Sequence, residues 1–237
     1  MQPLSILLLP GLACDAELFA HQAAALAPLA KVRVSDAHTR AATLPEMAAL
    51  LWAEHPGRHG LVGASMGGML ALEMHRQAPD RVAALALLGT TARPDTPALI
   101  KLRTQACELF ANGRMDEVLR ANVLFAFHPH GARVAGLVER YLAMIRRAGA
   151  GQLIQQNRAV MARCDSRPHL PHIRCAVQVV CGEADQLTTP EHAREMAGLM
   201  AHAQLDIVPG AGHMLTMEQP ERVSRLLLRW LSGLLAA

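Results

Sequence analysis

Short apolar runs alternate with longer stretches in which apolar positions recur every three or four residues. Uninterrupted apolar runs are typical of strands buried on both faces of a parallel sheet, and the longer stretches have the spacing of amphipathic helices. We therefore predict strands over residues 4–9, 31–35, 60–64 and 82–88 and helices over residues 16–29, 43–54 and 66–77. The second of these helices has a candidate capping box, formed by Thr43 and Glu46.

Helical periodicity alone continues after this alternating part, with predicted helices over residues 97–111, 115–126, 132–147 and 152–163. The alternation then resumes, with predicted strands over 177–181 and 205–208 and helices over 191–200 and 221–235. Alternating strands and helices imply right-handed crossovers, and hence a mostly parallel sheet with helices on both faces. We predict an α/β fold whose core comprises residues 1–93 and 173–237, with residues 94–172 inserted as a helical cap.

Composition narrows the class of protein. A chain of 237 residues with 51% hydrophobic side chains can bury a sizeable core. The net charge of +3 is too small to indicate nucleic acid as a partner. The first apolar run has no basic segment before it, so we interpret it as a strand and not as a signal peptide. No stretch reaches the roughly 20 apolar residues of a membrane span. We expect a cytoplasmic protein without a membrane partner.

Metal and disulfide chemistry are not indicated by the cysteine and histidine patterns. The five cysteines are scattered and odd in number, which is typical of buried thiols in a reducing compartment. Two histidine pairs, at 128/130 and 169/172, lack a nearby cysteine or carboxylate cluster that would complete a metal site. We therefore predict neither a metal nor a cofactor.

The pattern G-x-S-x-G stands where the predicted strand 60–64 meets the predicted helix 66–77. A serine hydroxyl is a poor nucleophile unless it stands clear of the backbone and contacts a base. A sharp strand-to-helix turn exposes the hydroxyl, and it requires small neighbours such as Gly63 and Gly67. We predict that Ser65 is a nucleophile; an ordinary glycine-rich turn is the alternative.

A base and an acid are expected downstream of such a serine, in the order acid and then histidine. His213 lies in a glycine-containing loop after the last predicted strand, where it can reach across the sheet edge. Asp185 follows the strand 177–181 and is our candidate for the acid that orients the histidine. Glu183, on the same turn, is the rival acid, and Asp95 is a more distant alternative.

Two backbone N–H groups are needed to stabilise the oxyanion of acyl transfer. One is expected from Met66, immediately after the nucleophile. The second is expected from the loop after the first strand, where Leu12 is the candidate donor.

The segments GASMGG, CGEAD and GAGHMLTMEQPERV together resemble the α/β-hydrolase superfamily. The similarity is greatest to capped esterases and lactonases, such as pimeloyl-carrier-protein methyl ester esterases and 3-oxoadipate enol-lactonases, and extends over nearly the whole chain except the cap. The family often has His-Gly before the oxyanion residue, whereas this chain has Pro10-Gly11. Its first predicted strand corresponds to the family's third, so we expect a smaller sheet.

The resemblance implies hydrolysis of a small carboxylic ester or lactone through an acyl-enzyme. The same three residues could instead serve C–C bond hydrolysis, thioester hydrolysis or acyl transfer, and a non-catalytic binding protein is a remote alternative. The predicted cap carries eleven Lys and Arg against six Asp and Glu. This excess could attract an anionic substrate or a carrier-protein-bound acyl group, or it could simply lie on solvated helix faces.

Overall fold

One parallel sheet runs through the part of the chain that the computed structural model describes, residues 4–236. The predicted core also includes residues 1–3 and residue 237, which lie outside that range. Six strands pair in the order β2-β1-β3-β4-β5-β6, and every ladder is parallel. The strands are β1 Ser5–Leu9, β2 Lys31–Val34, β3 His59–Ala64, β4 Val82–Leu88, β5 Ala176–Gly182 and β6 Ala203–Val208. The predicted α/β fold with a mostly parallel sheet is confirmed.

Helices cover both faces of the sheet. They are α1 Ala20–Leu26, α2 Leu44–Glu54, α3 Met66–Gln77, α4 Pro97–Ala111, α5 Met115–Ala126, α6 Leu137–Met161, α7 Pro190–Leu199, α8 Leu215–Glu218 and α9 Pro220–Ala236. One face packs against α1 and α9 together with α4–α6. The opposite face packs against α2, α3 and α7.

The apolar run of β1 shows why these strands lack polar alternation. Ile6 and Leu8 enter the core beneath α1 and α9, whereas Leu7 and Leu9 enter the core beneath α2 and α3. All four side chains are fully buried. Successive side chains of a strand point to opposite faces, so a strand covered on both sides needs apolar residues at every position.

Local capping explains where the observed helices depart from the predicted ones. The predicted helix 16–29 is wrong as a single element: a 3-10 turn over Ala16–Phe19 is followed by α1, which ends at Leu26. Asp15 caps the turn by accepting the Glu17 N–H, and Phe19 has non-helical dihedrals between the two pieces. The capping box of α2 forms as predicted, with Thr43 and Glu46 each accepting the other's backbone N–H.

The segment between β4 and β5, all of it within the described residues, contains helices and 3-10 turns and no strand, as predicted. Helices α4 and α5 match their predicted bounds. The two helices predicted over 132–147 and 152–163 are both present within α6, which begins at Leu137 and is kinked between them at Gly149 (φ 77°, ψ 170°). A positive φ is a conformation that glycine adopts without steric cost, so this glycine interrupts the helical geometry.

The inserted helices share a hydrophobic core with the sheet. Phe127 packs edge-on against Tyr141 with ring centroids 5.3 Å apart, and both are buried. Leu124 and Phe125, by contrast, are 72% and 49% exposed. The boundaries 94 and 172 of a separate cap remain a prediction.

The cysteines are not all buried. Cys14, Cys107 and Cys181 are buried and Cys175 is half-buried, but Cys164 is exposed, so the expectation of uniformly buried thiols is wrong for that residue. All five are free thiols. Between residues 4 and 236 no helix has both the length and the apolarity needed to cross a bilayer.

Candidate active site

The predicted site residues all follow strands that end at one edge of the sheet. Leu9 of β1 pairs with Gly63 of β3, and Leu88 of β4 pairs with both Ala64 and Val180. The loops that leave these strands therefore emerge side by side. Ligand sites of open α/β sheets lie at this carboxyl edge.

Ser65 occupies a strained turn between β3 and α3. Its backbone has φ 53° and ψ −117°, outside the regions that non-glycine residues usually adopt. The turn is possible because Gly63 and Gly67 lack side chains. A Cβ on Gly63 would overlap the Gly67 carbonyl, and a Cβ on Gly67 would overlap the Leu9 carbonyl. The predicted strand–turn–helix context of Ser65 is thus present.

Thr90, two residues after the end of β4, holds this turn in place. Its hydroxyl donates to the Ser65 carbonyl at 2.7 Å, while the Ser65 N–H donates to the Leu88 carbonyl at 2.9 Å. A Cβ on Gly68 would lie within 2.5 Å of the Thr90 methyl carbon, so Gly68 leaves the space that Thr90 occupies. Both backbone polar groups of Ser65, the N–H and the carbonyl, are therefore hydrogen-bonded.

The structure brings Ser65, His213 and Asp185 together. The Ser65 Oγ lies 3.0 Å from His213 Nε2, and His213 Nδ1 lies 2.8 Å from Asp185 Oδ2. A carboxylate can only accept a hydrogen bond, so Nδ1 carries the proton and Nε2 is free to accept the serine proton. This tautomer is the one that a general base requires.

Burial and the charge of Asp185 shift the pKa of His213 in opposite directions. Desolvation disfavours the imidazolium and by itself lowers its pKa, but the charge and hydrogen bond of Asp185 outweigh that effect, so the pKa of His213 lies above 6.5. At Asp185, burial raises the pKa, but His213 and two backbone donors reverse this, and the net pKa lies below its ordinary value. Asp185 is therefore ionised whenever His213 is neutral.

Thr188 is part of this site and was not predicted. Its hydroxyl donates to Asp185 Oδ2 at 2.9 Å, and its N–H and that of Leu187 both donate to Oδ1 at 2.9 Å. With the His213 bond, the carboxylate thus accepts four hydrogen bonds. The only sign of this role in the sequence is that Thr188 follows Asp185 by three residues in a turn.

The two alternative acids lie elsewhere. Glu183 is exposed, and its carboxylate accepts the Gly210 N–H at 3.2 Å. Asp95 is buried between two guanidinium groups, 2.7 Å from Arg103 and 2.8 Å from Arg163. Neither carboxylate bonds His213.

The two candidate oxyanion donors flank the serine. A Cβ on Gly11 would lie only 3.4 Å from the Ser65 Cβ, so the loop after β1 runs directly beside the serine. Within residues 4–236 the N–H groups of Leu12 and Met66 donate to no protein acceptor. Both N–H groups remain available to a bound ligand.

Glu218 is a second residue that sequence reasoning missed. Its carboxylate accepts the N–H of Gly212, next to the histidine, and the N–H of His128 in the inserted segment, each at 2.8 Å. Burial raises its pKa to about 7, although these two donors act in the opposite direction. Glu218 therefore ties the loop that carries His213 to the inserted helices.

No group of three or more histidine, cysteine, aspartate or glutamate side chains in the described part of the chain is arranged to hold a metal ion. His169 lies between His172, with ring centroids 6.5 Å apart, and His75, whose Nδ1 is 2.9 Å from His169 Nε2. Burial lowers the pKa of His75 to about 4, so this pair is neutral and structural at ordinary pH.

A parallel sheet with a serine on a strained strand-to-helix turn and a histidine–aspartate pair at the same edge defines the class of α/β hydrolases. The chain belongs to the Alpha/beta hydrolase family, whose sequence model matches residues 6–226. It is thus a member of a family of hydrolytic enzymes, as the sequence resemblance indicated.

Relatives in sequence and structure agree with this assignment. "Putative carbamate hydrolase RutD" from Serratia proteamaculans (strain 568) is 26% identical over 208 residues, covering 85% of this chain and 76% of that protein. A thermophilic esterase from Thermogutta terrifontis, solved with malate bound, superposes with a TM-score of 0.90 at 27% identity, covering 98% of this chain and 91% of the esterase. The enol-lactonase from Burkholderia xenovorans LB400 shares the fold, with a TM-score of 0.83 at 24% identity over 98% of this chain and 92% of its own.

Proposed function

We propose that this protein is a serine hydrolase that cleaves a small carboxylic ester or lactone through an acyl-enzyme. The observation that carries the proposal is the relay from Ser65 Oγ to His213 at 3.0 Å and from His213 to Asp185 at 2.8 Å. These distances allow proton transfer from the hydroxyl to the imidazole as the serine attacks. The free N–H groups of Leu12 and Met66 support the same reaction.

The reaction has two halves. Ser65 Oγ attacks the carbonyl carbon while His213 Nε2 takes its proton, and the Leu12 and Met66 N–H groups donate to the oxyanion. The tetrahedral intermediate expels the alkoxide, which receives the proton from His213, and an ester remains on Ser65. Water then attacks that ester while His213 again takes the proton. The acid is released as His213 returns this proton to Ser65 Oγ.

The thermophilic esterase relative supports an ester as the substrate. The carbamate hydrolase relatives make carbamates a second candidate class, since a carbamate carbonyl can be attacked by the same serine to form a carbamoyl-enzyme. Thioester hydrolysis, C–C bond hydrolysis and acyl transfer use the same nucleophile and remain alternatives within the proposal.

A small-molecule substrate is better supported than a carrier-protein-bound acyl group. Seven of the eleven basic residues of segment 94–172 form ion pairs with carboxylates. Two of these carboxylates, Asp15 and Glu17, lie outside the segment, so they reduce its excess of five positive charges to three and weaken the attraction for an acidic partner. We propose that this segment is a cap that shapes the pocket above the sheet edge.

The first test compares three forms of the protein on p-nitrophenyl acetate and butyrate. Ser65→Ala is expected to lower kcat by about 10⁶-fold, to near the background rate, because nothing replaces the nucleophile. Ser232→Ala, at an exposed serine of α9, is the control and should match the wild type. Wild-type turnover that survives Ser65→Ala would disprove the proposal.

The substrate class requires a second measurement. A panel of short esters, lactones, carbamates, thioesters and vinylogous diketones should give the highest kcat/KM with an ester or lactone. Mass spectrometry during turnover of a slow ester should show a mass increase equal to the acyl group on Ser65. A carbamate as the best substrate would favour the second candidate class.

A further inference from the structure

The loop that carries Leu12 is held from outside by a glutamine of the inserted helix α6. Gln156 is fully buried, and its Oε1 accepts the Ala13 N–H at 2.6 Å. The Ala13 N–H is a donor, so the amide oxygen must face it. Its Nε2 donates to the His38 carbonyl at 3.0 Å and to Gln152 Oε1 at 2.9 Å.

Ala13 is the strained residue of this loop. Its φ is 56°, in the left-handed region that favours glycine, and the Cys14 N–H closes a turn back to the Gly11 carbonyl at 3.1 Å. Leu12 and Ala13 are the two central residues of that turn. Rotation of the peptide between them would relieve the positive φ of Ala13 and change the ψ of Leu12.

A second buried contact holds the end of the turn. His38 Nε2 lies 2.8 Å from the Cys14 carbonyl, and the side chain of His38 is 3% exposed. The His38 carbonyl in turn accepts from Gln156. The turn is thus bonded through Ala13 and Cys14 to one buried network, in which Gln156 of α6 is the residue that accepts the Ala13 N–H.

We propose that Gln156 is a positioning residue for the oxyanion hole: its hydrogen bond from Ala13 fixes the strained Leu12–Ala13 peptide and so holds the Leu12 N–H beside Ser65. The inference rests on the proposed function, in which Leu12 is an oxyanion donor. It gives the inserted helix a role in catalysis in addition to covering the site.

The same helix offers a matched control. Gln155 is half-buried and its Nε2 donates to the Ala41 carbonyl at 2.7 Å, so it also ties α6 to the segment after β2. Among the described residues its side chain makes no hydrogen bond to the turn 11–14. Gln155→Met removes one polar tie and Gln156→Met removes three, and only the second releases Ala13.

The test measures kcat and KM on p-nitrophenyl butyrate, the Ki of an aryl trifluoromethyl ketone, and the Tm of each variant. The ketone forms a tetrahedral adduct on serine, so its affinity depends on the oxyanion hole. Gln156→Met should lower kcat about tenfold and raise Ki by a similar factor, with KM little changed, which is less than the 10²–10³-fold effect of losing a whole donor. Gln155→Met should lower Tm by less, because it removes one hydrogen bond and not three, and should leave kcat and Ki at the wild-type values.

Gln156→Asn provides the same test if the methionine variant does not fold. Its amide is one methylene too short to reach Ala13 but remains polar in the buried site, and it should show the same loss of kcat. Equal kcat and Ki for the variants at 155 and 156 would overturn the positioning role. Ser65→Ala, assayed in parallel, separates that result from failure of the proposed function, because only the latter leaves Ser65→Ala active.

Discussion

The Asp185 carboxylate is the most completely enclosed charge of the candidate site, with a side chain that is 0% exposed. An unpaired charge in such a position would be very costly, but this one accepts hydrogen bonds from both Thr188 groups, Leu187 and His213. Its charge keeps the imidazole in one tautomer and stabilises the imidazolium. In the proposed mechanism, Asp185 therefore sets the pH range in which His213 can act as the base.

The pH profile of kcat/KM should rise through a pKa above 6.5, because His213 must be neutral to accept the serine proton and its pKa is raised. Asp185→Asn removes the two largest effects that raise this pKa and leaves only the smaller effect of the Glu218 charge, while burial still lowers it. The variant's acid limb should therefore move to lower pH, and its kcat should fall by about 10⁴-fold. Initial rates on a p-nitrophenyl ester between pH 5 and 9 measure both effects.

Glu183→Gln is the matched control, since Glu183 lies on the same turn but bonds the Gly210 N–H. It should leave the acid limb and kcat unchanged. If Glu183→Gln shifted the profile and Asp185→Asn did not, Glu183 would be the acid.

Sequence reasoning named residues whose chemistry is local and missed those whose role depends on distant neighbours. Ser65, Asp185 and His213 each follow a strand, and a strand end is visible in the hydrophobic pattern. Glu218 and Gln156 act through contacts with other loops, whereas Thr188 bonds Asp185 within its own turn. Glu218 reaches His128 from 90 residues away, and Gln156 reaches Ala13 from 143. No spacing pattern encodes such contacts.

At the scale of elements, the junction of β3 and α3 depends on the absence of side chains. Gly67→Ala would drive a methyl group into the Leu9 and Pro10 carbonyls, which are backbone and cannot move aside. We expect this variant to fold poorly, with a loss of several kcal/mol in the free energy of unfolding, as for other severe overpacking. Urea denaturation monitored by circular dichroism measures the loss.

The control is Gly233→Ala in α9, where, among the described residues, no atom beyond the helix's own backbone lies within 4 Å of the added methyl group. Alanine has the higher helix propensity, so this variant should be more stable than the wild type by about 0.5–1 kcal/mol. If Gly67→Ala and Gly233→Ala changed the free energy of unfolding equally, the close backbone contact at Gly67 would not be what requires glycine in the turn.

Element bounds were predicted best where caps or prolines mark them. Helix α4 begins at Pro97 behind the capping residue Thr96, and the prediction matches it from end to end. The prediction failed at residues 16–29, where alanine-rich sequence continues across the change in geometry at Phe19 without a change in the apolar periodicity. The break between the helices predicted over 132–147 and 152–163 was found, because glycine marks it, but the first of the two begins at Leu137.

At the scale of the whole molecule, Glu218 joins the inserted segment to the base loop. Because its folded-state pKa of about 7 lies above the ordinary value of 4.5, its contribution to stability is complete below pH 4.5 and is lost as the pH rises through 7. Glu218→Gln does not titrate, so its free energy of unfolding should fall less than that of the wild type between pH 5 and 8. Urea titrations at several pH values measure the difference.

Glu221→Gln, an exposed glutamate in the first turn of α9, serves as the control and should follow the wild-type pH dependence. Parallel wild-type and Glu218→Gln curves would show that the buried carboxyl is not responsible for the pH dependence of stability.

The α/β architecture was predictable because the alternation of strands and helices is periodic. The hydrogen bonds between the inserted helices and the loops of the candidate site were not predictable, because they depend on individual side chains.

Ser65 and His213 are 148 positions apart in the chain and meet because their strands end at the same edge of the sheet. A nascent polypeptide leaving the ribosome therefore contains the serine turn long before the imidazole has been added. A truncated chain that stopped between these two residues would hold the proposed nucleophile without its proposed base.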